Sequence, residues 1–343
     1  MRYLASDNNA GIDPVIFQAL AAANSEHAVG YGADAWTERM QQAFCTVFGP
    51  QARAYPVLTG TGANVLSLSA LLAPYEAVLC SRMSHLYVDE CGAPERFLGT
   101  KLIPVAARDG KLAVADLEKE LQPPNDEHRV QPRVVSITQA TEAGTLYSLE
   151  EIRAIADFAH AHEMYLHMDG ARIANAAVAL DTDFKELCRG VDVLSFGATK
   201  NGLLCGEAVV FLRPDLDRHF KFLRKQGMQL LSKQRFVAAQ LEAYLQPEVW
   251  AANARQANAM ARLLAESVAS LEAVEIVFPV QTNAVFARLP LDLIAPLQER
   301  CFFYVLDEDA GIVRWMTAFD TRPEDITGFV EALKELWAER SRK

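Results

Sequence analysis

No cysteine pair, no long apolar run and no excess of positive charge occurs in this chain of 343 residues, and each lack removes a class of protein. The six cysteines, Cys45, Cys80, Cys91, Cys188, Cys205 and Cys301, lie far apart with no C-x-x-C pair. That spacing argues against a structural zinc site or a redox dithiol, predicts no metal centre, and suits a reducing, cytoplasmic compartment. The N-terminus, Met1-Arg2-Tyr3-Leu4-Ala5-Ser6-Asp7, meets a charge at once and has no apolar signal core. No apolar stretch approaches the roughly 18 residues that a membrane span needs. The greasiest, Val65 to Leu72, contains two serines and ends before Pro74. With 44 acidic against 33 basic side chains the net charge is −11, a field that repels polyanions, so neither nucleic acid nor a membrane is an expected partner. The densest basic stretch, Arg213 to Arg235, is interrupted by Asp215 and Asp217 and reads as a solvated or interfacial helix. A fixed-period repeat is also missing, which argues against a solenoid.

What is present is the make-up of an ordinary globular enzyme, 51% hydrophobic and 22% charged, long enough for a large and a small domain. Short apolar runs at Ala77–Cys80, Lys101–Val105, Arg133–Thr138, Met164–His167, Val191–Phe196 and Glu207–Leu212 read as buried strands. Amphipathic stretches separate them, such as Leu149–His162, where Ile152, Ile155, Ala156 and Ala159 recur at helical spacing. Alternation of this kind predicts an α/β fold with a mostly parallel sheet covered by helices on both faces. After Pro247 the rhythm changes. A long helical pattern, Val249–Leu271, precedes apolar runs at Val274–Phe278, Ala284–Arg288, Phe302–Val305 and Gly311–Met316, then a terminal helix Glu324–Arg340. That is an α+β arrangement, and the boundary falls near residue 246. The expected division is an N-terminal segment 1–15 reaching the site, a large domain 16–246 and a small domain 247–343.

Open α/β sheets bind ligands at the carboxyl ends of their strands, and four such positions are chemically loaded. Lys200, in Ser195-Phe196-Gly197-Ala198-Thr199-Lys200-Asn201-Gly202, is presented among small residues that let a flat ring approach; alone it also reads as a surface loop lysine. Asp169, in His167-Met168-Asp169-Gly170-Ala171-Arg172, supplies the carboxylate that a pyridinium nitrogen needs, or simply a helix N-cap. Thr59-Gly60-Thr61-Gly62-Ala63-Asn64 places glycines and small polar residues at a helix start, where backbone N–H groups meet a phosphate. It matches neither G-x-G-x-x-G nor a P-loop, and an ordinary capped turn has the same composition. His85 can stack on a ring and move protons near neutral pH, or face solvent. The order carries more than any member: phosphate cup, stacking residue, aspartate, then lysine 31 residues later, each after an expected strand.

In that order, and in Leu166-His167-Met168-Asp169-Gly170-Ala171-Arg172-Ile173-Ala174-Asn175-Ala176, the chain resembles the low-specificity L-threonine aldolases. These are pyridoxal-phosphate enzymes of the aspartate-aminotransferase-like class, fold type I. The resemblance runs from Ser6-Asp7-Asn8 to Arg314. It includes Tyr31-Gly32-Ala33-Asp34-Ala35-Trp36-Thr37-Glu38 and His85 through Asp89-Glu90-Cys91-Gly92-Ala93, which look like a bacterial subgroup. It implies a seven-stranded, mostly parallel sheet and cleavage of L-threonine, L-allo-threonine and related L-3-hydroxy-amino acids to glycine and an aldehyde. By the same resemblance Lys200 forms the Schiff base, Asp169 holds the pyridine nitrogen, and His85 stacks on the ring. His85 is also the candidate base. Gly60 and Thr61 offer donors to the phosphate, and Ser6, Arg172 and Arg314 hold the substrate carboxylate, with Arg172 beside the cofactor too. It further implies a homo-oligomer, a dimer of dimers, whose phosphate cups are completed by a neighbouring subunit.

Two segments depart from the family. Gln229-Leu230-Leu231-Ser232-Lys233-Gln234 replaces a glycine triplet followed by Met-Arg-Gln, leaving Lys233 as the expected phosphate contact. Gln139-Ala140-Thr141-Glu142 stands where Glu-Asn-Thr-His is usual, which puts a carboxylate in place of a histidine. His128 lies near another histidine of the family. The rival readings are a phenylserine-type aldolase, another lyase or an aminotransferase of fold type I, and a catalytically silent interaction module with this fold.

Overall fold

The structure is a computed structural model, described over residues 2–124 and 126–340, so Met1 of the expected N-terminal segment lies outside it. Seven strands form the large sheet: β1 (Arg53–Val57), β2 (Glu76–Ser81), β3 (Lys101–Val105), β4 (Gln131–Thr138), β5 (Tyr165–Gly170), β6 (Val193–Phe196) and β7 (Glu207–Phe211). Their order is β1-β7-β6-β5-β4-β2-β3. Strands β2 to β6 run parallel to their neighbours among themselves, whereas β7 is antiparallel to both β6 and β1. The apolar runs are continuous rather than alternating because helices cover both faces; Ala77 through Cys80, for example, are wholly buried.

Six of these strands coincide with apolar runs in the sequence. The seventh, β1, carries Pro56, which cannot donate to a ladder and so breaks the pattern. An edge position makes it tolerable, since β1 pairs with β7 alone. Strand β5 also runs past the apolar stretch expected at Met164–His167. Its Asp169 stays in register with Thr138 on one side and Ser195 on the other, so a carboxylate is built into the strand end itself.

The helix after β1 spans Gly60–Leu71, so its first turn takes in the glycines. Two glycines in a first turn give weak helix propensity, and the Thr59 side chain compensates by accepting the Gly62 N–H. The helix Leu149–Ala161 begins at a capping box of Ser148 and Glu151 and buries Ile152, Ile155, Ala156 and Ala159, as its spacing predicts.

Helix Pro247–Val268 leads into a second, antiparallel sheet of β8 (Glu275–Ile276), β9 (Ala284–Arg288), β10 (Tyr304–Asp307) and β11 (Ile312–Met316), ordered β10-β11-β9-β8 and closed by helix Pro323–Arg340. Its core packs Trp315 edge-on against Phe303 and Phe329. Leu4 belongs to this same core: its N–H donates to Phe302 O, and its carbonyl accepts from Met316 N–H at 2.8 Å. The start of the chain is thus fastened to the small domain before it turns toward the large one. No helix among the described residues is long and apolar enough to cross a membrane.

Candidate active site

The parallel strands β2, β4, β5 and β6 deliver their following residues to one place. Two adjoining cavities there, of about 290 and 560 Å³, share Asn8, Gly60, His85, Asp169, Ala171 and Lys200 in their walls. Thr61 lines the smaller; Ser6, Arg172 and Arg314 line the larger. Eight of the nine residues singled out in the sequence therefore meet, from both domains and the N-terminal segment. Lys233 does not. It is exposed beyond the Gln229 segment and belongs to neither wall. His128 is likewise exposed, outside both walls.

Lys200 sits in a short 3-10 turn, Thr199–Asn201, closed by Gly202 in the left-handed region at φ 119°. Burial, then the Arg172 cation nearby, push its pKa below that of an ordinary lysine, against the pull of Asp7, Asp169 and Glu207. A lysine so placed reaches its neutral, nucleophilic form more readily. Beside it the Glu207 carboxyl accepts the Ala198 N–H at 2.7 Å and is pushed by burial up to about 7. The approach of β6 to β5 is close: a Cβ at Gly197 would lie 2.5 Å from Ala171 Cα, so only glycine fits there.

Asp169 is held from two sides. Its Oδ1 accepts the Ala171 N–H at 2.9 Å, and its Oδ2 accepts Asn64 Nδ2 at 2.8 Å. The same amide nitrogen donates to Glu90 Oε1 at 2.8 Å, and His85 Nδ1 lies 3.0 Å from that oxygen. Pairing with Glu90 raises the His85 pKa, outweighing its burial, so the imidazole tends to the cation. Beneath Asp169 on the same strand, His167 is fully buried between Ser136 Oγ (2.9 Å) and Ser195 Oγ (3.0 Å). Burial brings its pKa down to about 4, so this ring is neutral.

The helix start leaves the Gly60 and Thr61 N–H groups without a partner in the helix, because the Thr59 side chain caps Gly62 and the Thr59 carbonyl accepts Ala63. No atom lies within 4 Å of where a Cβ would stand at Gly60, while one at Gly62 would meet the Gln229 amide at 2.7–2.8 Å. Gln229 in turn accepts the Leu58 N–H at 2.9 Å. The result is an open, amide-lined cradle at the positive end of a helix, suited to a phosphate ester.

Arg172 spends its fork on Asp7, with Nε and Nη2 donating to the two carboxylate oxygens at 2.7 and 2.9 Å. Asn283 adds a third donor at 3.1 Å. Burial alone would push the Asp7 carboxyl up, but Arg172 holds it below the usual range. Arg314 lies over the Tyr304 ring and donates Nη2 to Ala5 O at 3.2 Å, and among the described residues its buried Nε has no hydrogen-bond partner. Of the two guanidinium groups it is the one open to a carboxylate. Ser6 caps the turn Asp7–Asn9 by accepting the Asn8 N–H. Asp7, Asn64, Glu90 and Glu207 are the members of this site that sequence reasoning assigned no role. The first three sit inside motifs named in the sequence, whereas Glu207 lies on a fully buried strand and gave no signal.

The model of the beta-eliminating lyases matches residues 3–291. The chain belongs to that family. It is 42% identical over 326 residues to a low-specificity L-threonine aldolase of Pseudomonas aeruginosa, covering 94% of each chain. Against the enzyme of the same name from another Pseudomonas strain it is 39% identical over 320 residues, covering 92% of each. Among solved structures it superposes on a threonine aldolase of Leishmania major with a TM-score of 0.93 at 30% identity, covering 98% of this chain and 99% of that one. The beta-eliminating lyase fold, with its mostly parallel sheet and smaller antiparallel domain, is therefore the fold of this protein.

Proposed function

We propose that this lyase uses pyridoxal 5'-phosphate to cleave L-threonine, L-allo-threonine and related L-3-hydroxy-amino acids to glycine and an aldehyde. The observation that carries the reading is the convergence of Lys200, Asp169 and the open Gly60–Thr61 cradle in one cavity, continuous with a second that holds the arginines. The chemistry of that set fits the cofactor: amides for the phosphate, a carboxylate for a protonated ring nitrogen, and a depressed lysine for the carbonyl. When bound, pyridoxal phosphate supplies a ring that draws off negative charge developing at the substrate α-carbon.

The chain's own residues do the rest. Lys200, its pKa lowered by burial and Arg172, would be the amine that holds the cofactor's carbonyl carbon. Asp169, fixed by Asn64 and the Ala171 N–H, keeps the ring nitrogen protonated. His85 stacks on the ring and, paired with Glu90, serves as a proton donor. Arg314, with Ser6 and Arg172, would grip the carboxylate and so orient the bonds at the α-carbon.

Within this proposal residues 1–15 complete the site, 16–246 hold the cofactor and 247–343 supply Arg314. The protein works as a cytoplasmic homo-oligomer, a dimer of dimers. Support for an oligomer comes from Lys233, which is exposed and outside the walls of its own cavity, and from the exposed side chains of Val29, Tyr31, Phe97 and Met228. A second substrate class is favoured by the apolar part of the larger cavity's wall, beside the arginines. There Phe278, Phe286 and Met316 offer an apolar surface to bulky, phenylserine-like side chains.

The test is spectroscopic. Purified protein is expected to show a visible band that borohydride bleaches while fixing the cofactor to Lys200. Lys200→Ala is expected to lose both the trapping and the release of glycine from L-threonine. A protein that stays colourless after incubation with pyridoxal phosphate refutes the proposal.

A further inference from the structure

An aldol cleavage needs a base for the hydroxyl hydrogen of its substrate, and the side chains around the larger cavity differ in their freedom to act as one. His85 has its Nδ1 engaged by Glu90 at 3.0 Å, a pairing that raises its pKa and favours keeping a proton on the ring. Asp169 has both oxygens engaged, by Asn64 and by the Ala171 N–H. Glu207 lines only the smaller cavity, behind Lys200. Asp89 and Asp307 line the larger one but are exposed to solvent.

Glu90 lines the larger cavity too and has a buried, unpartnered Oε2, but its carboxylate is already paired with His85 and held by Asn64. Glu142 has no such ionic partner among the described residues. It follows β4, and because β4 lies between β2 and β5, it stands between His85 and Asp169. Its Oε1 accepts the His85 N–H at 2.7 Å and the Thr138 hydroxyl at 2.8 Å, which fixes the carboxyl group in place. Its Oε2 is buried and has no partner. The residue lines the same cavity as Lys200, Arg172 and Arg314.

We propose that Glu142 takes the hydroxyl proton of the substrate as the Cα–Cβ bond breaks, an assignment that rests on the aldolase reading above. The O–H bond breaks and its hydrogen passes to Oε2. The O–H electron pair becomes the second bond of the departing aldehyde carbonyl, and the Cα–Cβ pair stays on the α-carbon, which then takes a proton to give glycine. Glu142 returns its proton to water, and nothing is oxidised or reduced. The titratable and charged groups facing Glu142 are Asp169 on β5, Arg172 after it, Cys80 on β2, the His85 turn and Tyr147. Burial, opposed by its two donors and reinforced by Asp169, pushes the Glu142 carboxyl up to about 7, which suits a group that gains and loses a proton near neutral pH.

The experiment compares two reactions of the holoenzyme. One is cleavage of L-threonine. The other is exchange of the α-hydrogen of glycine in D2O, followed by NMR, which needs the same cofactor and carboxylate grip but involves no hydroxyl group. Glu142→Gln is expected to lower cleavage by about 100-fold or more and leave exchange nearly unchanged. It is also expected to remove the acidic limb near pH 7 from the kcat/KM profile for cleavage. Glu142→His, which restores a group titrating near neutrality, is expected to recover part of the rate together with an acidic limb. Equal loss of both reactions in Glu142→Gln, or full retention of both, overturns the assignment alone. A wild-type holoenzyme that carries out neither overturns the aldolase reading, and this assignment with it.

Discussion

Asp7→Asn tests whether the N-terminal segment is held in the site by electrostatics. Asp7 is 3% exposed and takes three nitrogen donors, two of them from the Arg172 fork, with the Ser6 hydroxyl at 3.5 Å as a weaker fourth. Breaking a buried ion pair from one side costs about 3–5 kcal/mol, because the remaining charge is left uncompensated. Asparagine keeps the size and one acceptor, so about 2–3 kcal/mol is the expected loss, the worth of a hydrogen bond or two to a charged group. Against a total stability of about 5–15 kcal/mol that is a visible shift in the urea midpoint at pH 7. The pH dependence supplies a second check. The folded-state pKa of Asp7 is lowered, so its contribution is present above the unfolded value of about 3.9 and is lost as pH falls through the folded one. The gap between wild type and Asp7→Asn is therefore full at neutrality and narrows on acidification below about pH 4. Equal midpoints at pH 7, or a gap that does not narrow in acid, would refute the reasoning.

Two further outcomes are expected. Arg314→Lys replaces the open fork with a point charge, so the KM for L-threonine rises about 10- to 100-fold, equivalent to about 1.4–2.8 kcal/mol; an unchanged KM in steady-state assays contradicts its role. Gly62→Ala drives the Gln229 amide off the Leu58 N–H, a hydrogen bond worth about 1–1.5 kcal/mol. Cofactor affinity measured by fluorescence titration should then fall about tenfold, and no change would mean that Gln229 does not shape the cradle.

The sequence shows plainly where chemistry enters this fold but little of what holds it there. Lys200, Asp169 and the Gly60–Thr61 turn are legible because each follows a buried strand, and strands announce themselves through local apolar runs. Their partners are not local. Asn64 reaches Asp169 across 105 positions, and Asp7 reaches Arg172 across 165; periodicity carries no information over such spans. Edge strand β1 stayed hidden behind Pro56, and Glu207 behind an apolar strand on which a charge looked incidental. Glu142 was legible only as a departure from a family pattern. Its free oxygen and its two donors appear once β2, β4 and β5 are brought side by side.

The fastening of Leu4 has a consequence for the order of assembly. Leu4 docks between Phe302 and Met316, so the seat for this early segment does not exist until β11, far later in the chain, has emerged. The large sheet can form during synthesis, as domains do. The wall carrying Ser6 and Asp7 can close only after release of β11. A nascent chain stalled before β11 would thus hold a folded floor with Lys200 and Asp169 in place, yet have no Arg314 and no Asp7 against Arg172. Under the proposed function, such a chain is expected to bind pyridoxal phosphate before it can hold an amino acid.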